Sequence, residues 1–370
     1  MNPTGGQEPG AATIRAMGAA DLLGLLRMRR GGARLNLPDA LVSGYTPLTG
    51  IARGRWNPLR SSGRVRTYIA AEGRRPSAFI QVRERLAEQR HKWDVLYLGA
   101  TRTPKVDYSA RRGELWVALL DHTTAAAGRR GVQRLFARVV GGGEAAAAFR
   151  SAGYSRYSEE TIYSLITPGD LPTPADDLPL REQEPGDTWA LHQLYTLTAP
   201  KGVQYAEAHT SHRWEVPHSP SAVMRGGMRE WGFVTERGNE LAIYCRVARR
   251  GGRSRLEFLY EPAARELLIP TLTAMLRWLA PDPGERIYCT VRDYQTELGS
   301  ALRDLGFSFL EVQDVLVRYT VVTARAPVAV TRERTARERR LVGVPAGSLR
   351  WHGFATGDGS RDGVVKDQTR

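Results

Sequence analysis

Two carboxylates fall at matching places in two short apolar runs, Asp94 in WDVLYLG and Glu257 in LEFLYEP. On a strand at the mouth of a cleft, either could act as a general base. Among so many arginines either could instead be half of an ion pair, and a one-residue slip would carry it to the opposite face of a sheet. A second constellation, Glu207, His209, His212 and His218, spaces its histidines three and six apart, which could suit a divalent metal. No predicted helix or hairpin fixes those residues, so a solvated loop is the simpler reading and no metal is assigned. Cys245 and Cys289 lie in apolar runs without a base nearby in sequence, which reads as buried small hydrophobes in a reducing compartment.

The strongest local signal is 253–279, read as a strand over 256–260, a stop at Pro262 and an apolar-faced helix from about residue 263. A strand running into a helix start presents free backbone N–H groups to an anionic ligand. Arg265 stands in the first turn. Pro270 lies too deep in that helix for an N1 proline, and is expected to leave the Glu266 carbonyl unpaired and open the turn.

The elements that must position these groups come in two copies. At 370 residues and 42% hydrophobic content the chain can form two ordinary domains. In the first half a strand and helix (12–30) precede a long Gly/Pro-punctuated segment, a hairpin (65–85) and a strand (93–98). A helix (112–127), a strand (133–140), a helix ended by Gly153 and a strand (161–166) complete it. The order then restarts: Asp187 falls on Asp21 at an offset of 166, Ala242 on Ala78 at 164, Tyr260 on Tyr97 at 163 and Gly306 on Gly153 at 153. One insertion around 101–110 accounts for the late drop, so an internal duplication is expected. The divisions are 1–11 disordered, 12–166 first domain, 167–177 linker, 178–322 second domain and 323–370 a disordered basic tail.

The net charge of +14 is carried almost wholly by scattered arginines. Scatter favours a compositional origin over an anionic partner. No helix carries a basic and aromatic stripe, which argues against nucleic acid. With no apolar leader and no run of 18 apolar residues, a cytoplasmic protein without a membrane span is expected.

The element order of each half, with AFRSAGYSRY and ALRDLGFSFL before its last strand, resembles the GNAT acetyltransferase superfamily. The tandem arrangement is similar to its two-domain, mycothiol-synthase-like members. The resemblance covers 12–166 and 178–322 and implies an α+β fold of two GNAT-like domains, each a mixed, mostly antiparallel sheet flanked by helices. It further implies acetyl-CoA or another acyl-CoA lying where strands four and five splay apart. The pantetheine would add to strand four like another strand, and the diphosphate would sit on the next helix start. Leu259, Tyr260 and Glu261 would then meet the pantetheine in the second half, and Arg265 and Glu266 the diphosphate. In the first half Arg111, Arg112 and Gly113 would do the latter.

The chain departs from that pattern in two places. Leu268 and Pro270 in one half, and Glu114 and Trp116 in the other, stand where the family has glycines. The tyrosine that protonates the leaving thiolate is replaced by Phe149 and Leu302, with Gln295 a turn earlier in the second half. The segment after the first helix usually lines the acceptor pocket, and carries Tyr205, Trp214 and Trp231 in one half, Tyr45 and Trp56 in the other. The implied function is N-acyl transfer from acyl-CoA to a small-molecule or peptide amine, with at most one working half and Asp94 or Glu257 as base. The second half, free of the insertion, is preferred. The competing reading is a degenerate fold that binds a nucleotide-like ligand or a protein.

Overall fold

The computed structural model describes residues 12–28, 32–44, 46–47, 65–73, 75–85, 91–101, 108–166, 178–216, 228–279 and 284–320. The expected arm, linker and tail (1–11, 167–177, 323–370), with Tyr45, Trp56 and His218, lie outside these residues.

The first half contributes strands β1 (Thr13–Ala16), β2 (Ala33–Arg34), β3 (Val65–Glu72), β4 (Arg75–Glu84), β5 (Lys92–Ala100), β6 (Arg134–Val140) and β7 (Ser155–Ile166). Its helices are α1 (Leu22–Met28), α2 (Leu37–Ser43), α3 (Tyr108–Gly128) and α4 (Glu144–Ser151). The second half repeats this with strands β8 (Leu180–Glu182), β9 (Arg229–Arg237), β10 (Glu240–Arg249), β11 (Arg253–Tyr260), β12 (Arg286–Arg292) and β13 (Ser308–Tyr319). Its helices are α5 (Thr188–Thr198), α6 (Lys201–Glu207), α7 (Leu268–Leu279) and α8 (Thr296–Asp304).

The duplication persists to single hydrogen bonds. Arg15 grips Asp21 through two bonds of 2.7 and 2.9 Å, and the Gly18 N–H donates to the same carboxylate at 2.8 Å. Arg181, Asp187 and the Glu184 N–H repeat this at 2.8, 2.9 and 2.7 Å. Gly153 and Gly306, at φ +74° and +84°, close α4 and α8 alike. In each, the following residue donates back into the helix, Tyr154 to Phe149 and Phe307 to Leu302, both at 3.0 Å.

Thirteen strands among the described residues form one sheet, in the order β1-β3-β4-β5-β6-β13-β7-β12-β11-β10-β9-β8, with β2 added to β5. The order is symmetric under exchange of the halves, and the last strand of each half is traded. β13 pairs with β6 of the first half, and β7 pairs with β12 of the second. Both faces are covered, because successive side chains point to opposite faces and both sets are apolar over most of the sheet. Ala78, Ile80, Val95 and Leu135 pack with Leu119 of α3 and Phe149 of α4. Ile69, Phe79 and Tyr97 meet Leu25 and Met28 of α1 on the other face. Leu272, Met275 and Leu276 of α7 cover Cys245, Leu256 and Cys289 in the second half. Both thiols are free and buried.

One local expectation is corrected. The stretch after Pro262 is a 3-10 turn (Pro262–Leu267), and α7 begins only at Leu268. Pro270 is thus the third helical residue, where a backbone N–H has no intrahelical partner to lose. The proline sets where the α-helix begins and opens no turn inside it.

The exchange makes each half incomplete. A fragment ending at residue 177 would keep β6 and β7 but lack the strand between them, leaving bare edges prone to association. Expressed separately, fragments split at that point should be insoluble or unfolded; co-expressed, they should elute as a one-to-one complex in size exclusion. Two fragments that each melt cooperatively as monomers would refute this.

Candidate functional site

The sheet face opposite α3, α4, α7 and α8 loses its apolar character near the centre. Arg138 and Phe136 alternate with Leu135 and Ala137 on β6, and Arg255 and Glu257 with Leu256 and Phe258 on β11. Tyr244 and Arg246 on β10, and Thr290 and Arg292 on β12, follow the same alternation. These residues, polar apart from Phe136, line with Arg83 and Asp94 from the first half a cavity of about 420 Å³ where the halves meet. Each half also sends a helical segment across the centre. Asp39 of α2 pairs with Arg255, and Arg253 donates to the Leu41 carbonyl at 3.0 Å. Conversely, Lys92 on β5 donates to the Ala208 carbonyl at 2.8 Å.

Asp94 and Glu257 face this one cavity, but guanidinium groups hold both. Asp94 accepts from Arg83 at 3.1 Å and from Arg85 at 2.6 Å. Burial alone would raise its pKa; Arg85 and Arg83 outweigh burial and hold it well below the usual carboxylate range. Glu257 lies 3.1 Å from Arg255 and 3.6 Å from Arg213. Against burial, these cations bring it down to about 2. Carboxylates so stabilised as anions are poor proton acceptors. The ion-pair reading describes their surroundings better than the general-base one.

Glu207 and His209, singled out as metal candidates, form a different assembly. Glu207 accepts hydrogen bonds from Tyr195 at 2.9 Å, Tyr157 at 3.3 Å and Arg292 at 3.0 Å. Its Oε2 lies 3.2 Å from His209 Nε2. Burial favours the neutral carboxyl, but Arg292 and His209 hold Glu207 ionised. Burial dominates at His209 and lowers its pKa to about 4 against the pull of Glu207. The imidazole is therefore neutral at pH 7. With its Nε2–H given to the carboxylate, Nδ1 is left as a buried nitrogen without a partner. The rings of Tyr195 and Trp214 fix the imidazole at centroid distances of 5.3 and 6.0 Å. His212 instead pairs with Glu215 at 2.6 Å, and no metal-binding group of three or more His, Cys, Asp or Glu residues occurs among the described residues.

The two strand splays open at equivalent residues and are filled differently. β5 and β6 pair in parallel only as far as Asp94↔Phe136, and β11 and β12 only as far as Glu257↔Thr290. In the first half the chain's own backbone enters the gap. Ala33 and Arg34 pair with Leu98 and Tyr97, the Asn36 N–H donates to the Arg138 carbonyl at 3.0 Å, and its side chain donates to the Val95 carbonyl at 3.1 Å. Asn36 adopts φ +53°, a conformation asparagine tolerates better than most residues. Gly32 passes so close that a Cβ would collide with the Tyr97 ring and the Leu98 carbonyl. In the second half a side chain reaches across: Gln295 donates to the Phe258 carbonyl at 2.8 Å.

Of the cofactor candidates, Leu259 lines the cavity, while the Tyr260 hydroxyl turns away to donate to Glu297 at 2.8 Å. Glu261 and Glu266 lie 3.0 and 3.9 Å from Arg237, and Arg265 is exposed beside them on the 3-10 turn. Arg111 pairs with Glu114 at 3.3 Å, and Arg112 is tied to Glu144 and lies over Trp116. A Cβ at Gly113 would meet open space. None of these first-half residues lines the cavity. Of the aromatics, Trp214 does; Tyr205 is exposed beside Tyr319, and Trp231 packs on Trp278. Sequence reasoning missed Tyr244, Arg138, Arg213, Arg246 and Arg292. The available signal was a charged or hydroxylated residue at every second position of an otherwise apolar strand.

No family model matches the chain, and no curated protein does. Among solved structures it is similar to a GCN5-related N-acetyltransferase from Sphaerobacter thermophilus, at 12% identity and TM-score 0.51, over 84% of this chain and 96% of that one. A tandem GNAT protein from the clavulanic acid biosynthesis pathway aligns at 14% identity and TM-score 0.49, over 84% and 99%. Saccharomyces cerevisiae N-myristoyltransferase with bound myristoyl-CoA aligns at 10% identity and TM-score 0.45, over 85% and 80%. At such identities the likeness concerns fold. The first of these, with the duplicated sheet, gives the architecture: the GNAT fold twice, in tandem. No helix among the described residues is long and apolar enough to cross a membrane.

The buried imidazole makes stability depend on pH. Its folded pKa of about 4 lies below its ordinary 6.5, so the unfolded chain binds the proton more readily and stability falls as pH drops from 6.5 through 4. The full effect is at most about 3 kcal/mol. Urea titrations across this window should show a flatter profile for His209→Gln than for the unchanged protein. Parallel profiles would mean that the imidazole is not buried as described.

Proposed function

We propose that the protein is an acyl-CoA-dependent N-acyltransferase whose second half takes the thioester and whose central cavity takes the amine. The observation that carries this reading is the β11–β12 splay, which opens beside Leu259 into that cavity and is crossed only by the Gln295 side chain among the described residues. The first-half gap is filled by 32–36, so its backbone edges have no room for a pantetheine arm. Acyl-CoA fits the second half in part. Exposed Arg265, ahead of the α7 start, suits the diphosphate, whereas Leu268 and Pro270 narrow the approach that glycines leave open in the family.

In the reaction the amine nitrogen attacks the thioester carbonyl, a C–N bond forms and the C–S bond breaks. The leaving CoA thiolate takes up a proton from water, because Phe149 and Leu302 at the family's tyrosine position have none to give. His209, neutral at pH 7 with Nδ1 unpartnered, receives the proton only as the C–N bond forms and the nitrogen turns strongly acidic, since a base of pKa about 4 does not deprotonate a free ammonium. Glu207 steadies the imidazolium. Asp94 and Glu257 hold the arginine frame around the acceptor. The buried free thiols agree with a reducing, cytoplasmic setting.

Calorimetry with acetyl-CoA tests the reading. Binding should be measurable, should weaken roughly tenfold or more in Arg265→Glu, where a diphosphate contact becomes a repulsion, and should be unchanged in Arg111→Glu. Absence of heat with submillimolar acetyl-CoA would overturn it in favour of a degenerate binding module, to which the bulk at Leu268 and Pro270 already lends weight.

A further inference from the structure

Most arginines of the central cavity are spoken for. Arg83 and Arg85 hold Asp94, Arg246 holds Glu230, Arg255 holds Asp39 and Glu257, and Arg292 holds Glu207. Arg213 differs. Its guanidinium makes no hydrogen bond among the described residues; its ion pair with Glu257 is 3.6 Å long, and it stacks 5.8 Å from the Trp214 ring. Its backbone is fixed, since Arg246 donates to the Arg213 carbonyl at 3.2 Å. Against the same indole, at a centroid distance of 6.1 Å, stands Tyr244, 2% exposed, with a buried hydroxyl that has no partner among the described residues. A planar fork of donors, held only by its long ion pair with Glu257, and a buried phenolic donor without an acceptor thus both meet Trp214 in one cavity. A buried donor left unsatisfied costs free energy, so the Tyr244 hydroxyl, beside a guanidinium with donors to spare, implies an acceptor that arrives with a ligand.

We infer that Arg213 and Tyr244 form a subsite for the carboxylate of a small organic acid. The planar fork matches a carboxylate, and the phenol can serve its second oxygen. A phosphate dianion fits less well, because it concentrates two negative charges on one centre beside Glu257, whereas a dicarboxylate holds its second charge a chain length away. The surrounding cations act in the same direction: burial, then Arg246, lowers the pKa of Arg213, as expected where positive charge lacks its full complement. As the carboxylate of an amine acceptor, the ligand would make that acceptor an amino acid or similar amino carboxylate. This identification rests on the acyl-transfer reading, whereas the subsite itself does not.

The test uses the full chain without CoA, so it fails or succeeds independently of thioester binding. Melting temperature and calorimetric affinity are followed with succinate, succinamide and inorganic phosphate at constant ionic strength. Succinate should stabilise the protein and succinamide should not. Tyr244→Phe, which removes one oxygen and keeps the ring, should weaken succinate binding about fivefold. Arg213→Gln should weaken it about ten- to a hundredfold. The inference is overturned if succinate has no effect, if succinamide or phosphate matches it, or if Tyr244→Phe binds succinate unchanged.

Discussion

Antiparallel pairing of β7 with β13 down the middle of the sheet is the interaction on which fold and cavity both depend. The register runs from Ser308↔Ser164 to Val317↔Ser155. Each strand closes a gap in the other half's sheet, so thirteen strands make one surface where two separate sheets would otherwise meet edge to edge. A continuous sheet also fixes how the two splays face each other. Both open at the equivalent carboxylates, and the exchange brings those carboxylates to the same cavity. Two unexchanged domains would each keep a private cleft, with no reason for Asp94 and Glu257 to share one.

A cavity lined with charge is stable only if the charges compensate one another. Burying an isolated carboxylate or guanidinium costs several kcal/mol even after relaxation, and breaking a buried pair costs about 3–5 kcal/mol. Here the pairs are chained: Arg255 bridges Asp39 and Glu257, and Arg292 reaches Glu207 while its Nε lies 3.9 Å from Glu160. Chaining across α2, β11, β12 and α6 makes the wall rigid, because no side chain can turn without stranding another. Rigidity gives the exceptions their meaning. Arg213, Tyr244 and His209 Nδ1 are held in place by neighbours yet have bonding capacity to spare, which is what a preformed binding surface requires.

The legible part of the sequence was what repeats locally. Asp21 and Asp187 marked the same Arg-to-carboxylate clasp, Gly153 and Gly306 the same helix ending, and the Leu-Tyr pairs the same strand. Strand exchange left no trace because β7 and β13 carry the same alternation whichever neighbour they adopt; pairing partners are decided by tertiary geometry, not by pattern. β2 is two residues long and sits in a Gly-rich stretch, so propensity could not announce it. The late start of α7 was signalled by Pro270 itself, read as a defect inside a helix when it was a marker of the first turn. The arginines looked scattered because they come from many strands. Their unity lies in alternation: Arg138, Arg246, Arg255 and Arg292 each occupy the polar phase of an apolar strand, a signal visible only once strands are aligned across both halves.

The contrast between the two splays follows from what fills them. Carbonyls exposed where parallel strands part must find donors, since buried main-chain groups do not remain unpaired. In the first half Val95 is satisfied by Asn36, and the same short segment adds main-chain bonds to β5 and β6. Opening that gap would dislodge a strand, a glycine fitted against Tyr97 and the α2 contact with Arg255 together. In the second half the matching carbonyl, Phe258, is satisfied by one glutamine amide. A net side-chain hydrogen bond is worth about 1 kcal/mol, and a ligand amide that takes its place returns most of that. One gap is closed by structure and the other by a replaceable contact. Among the described residues the second-half gap is therefore the one closed only by a replaceable contact, on the side where Leu259 leads into the cavity.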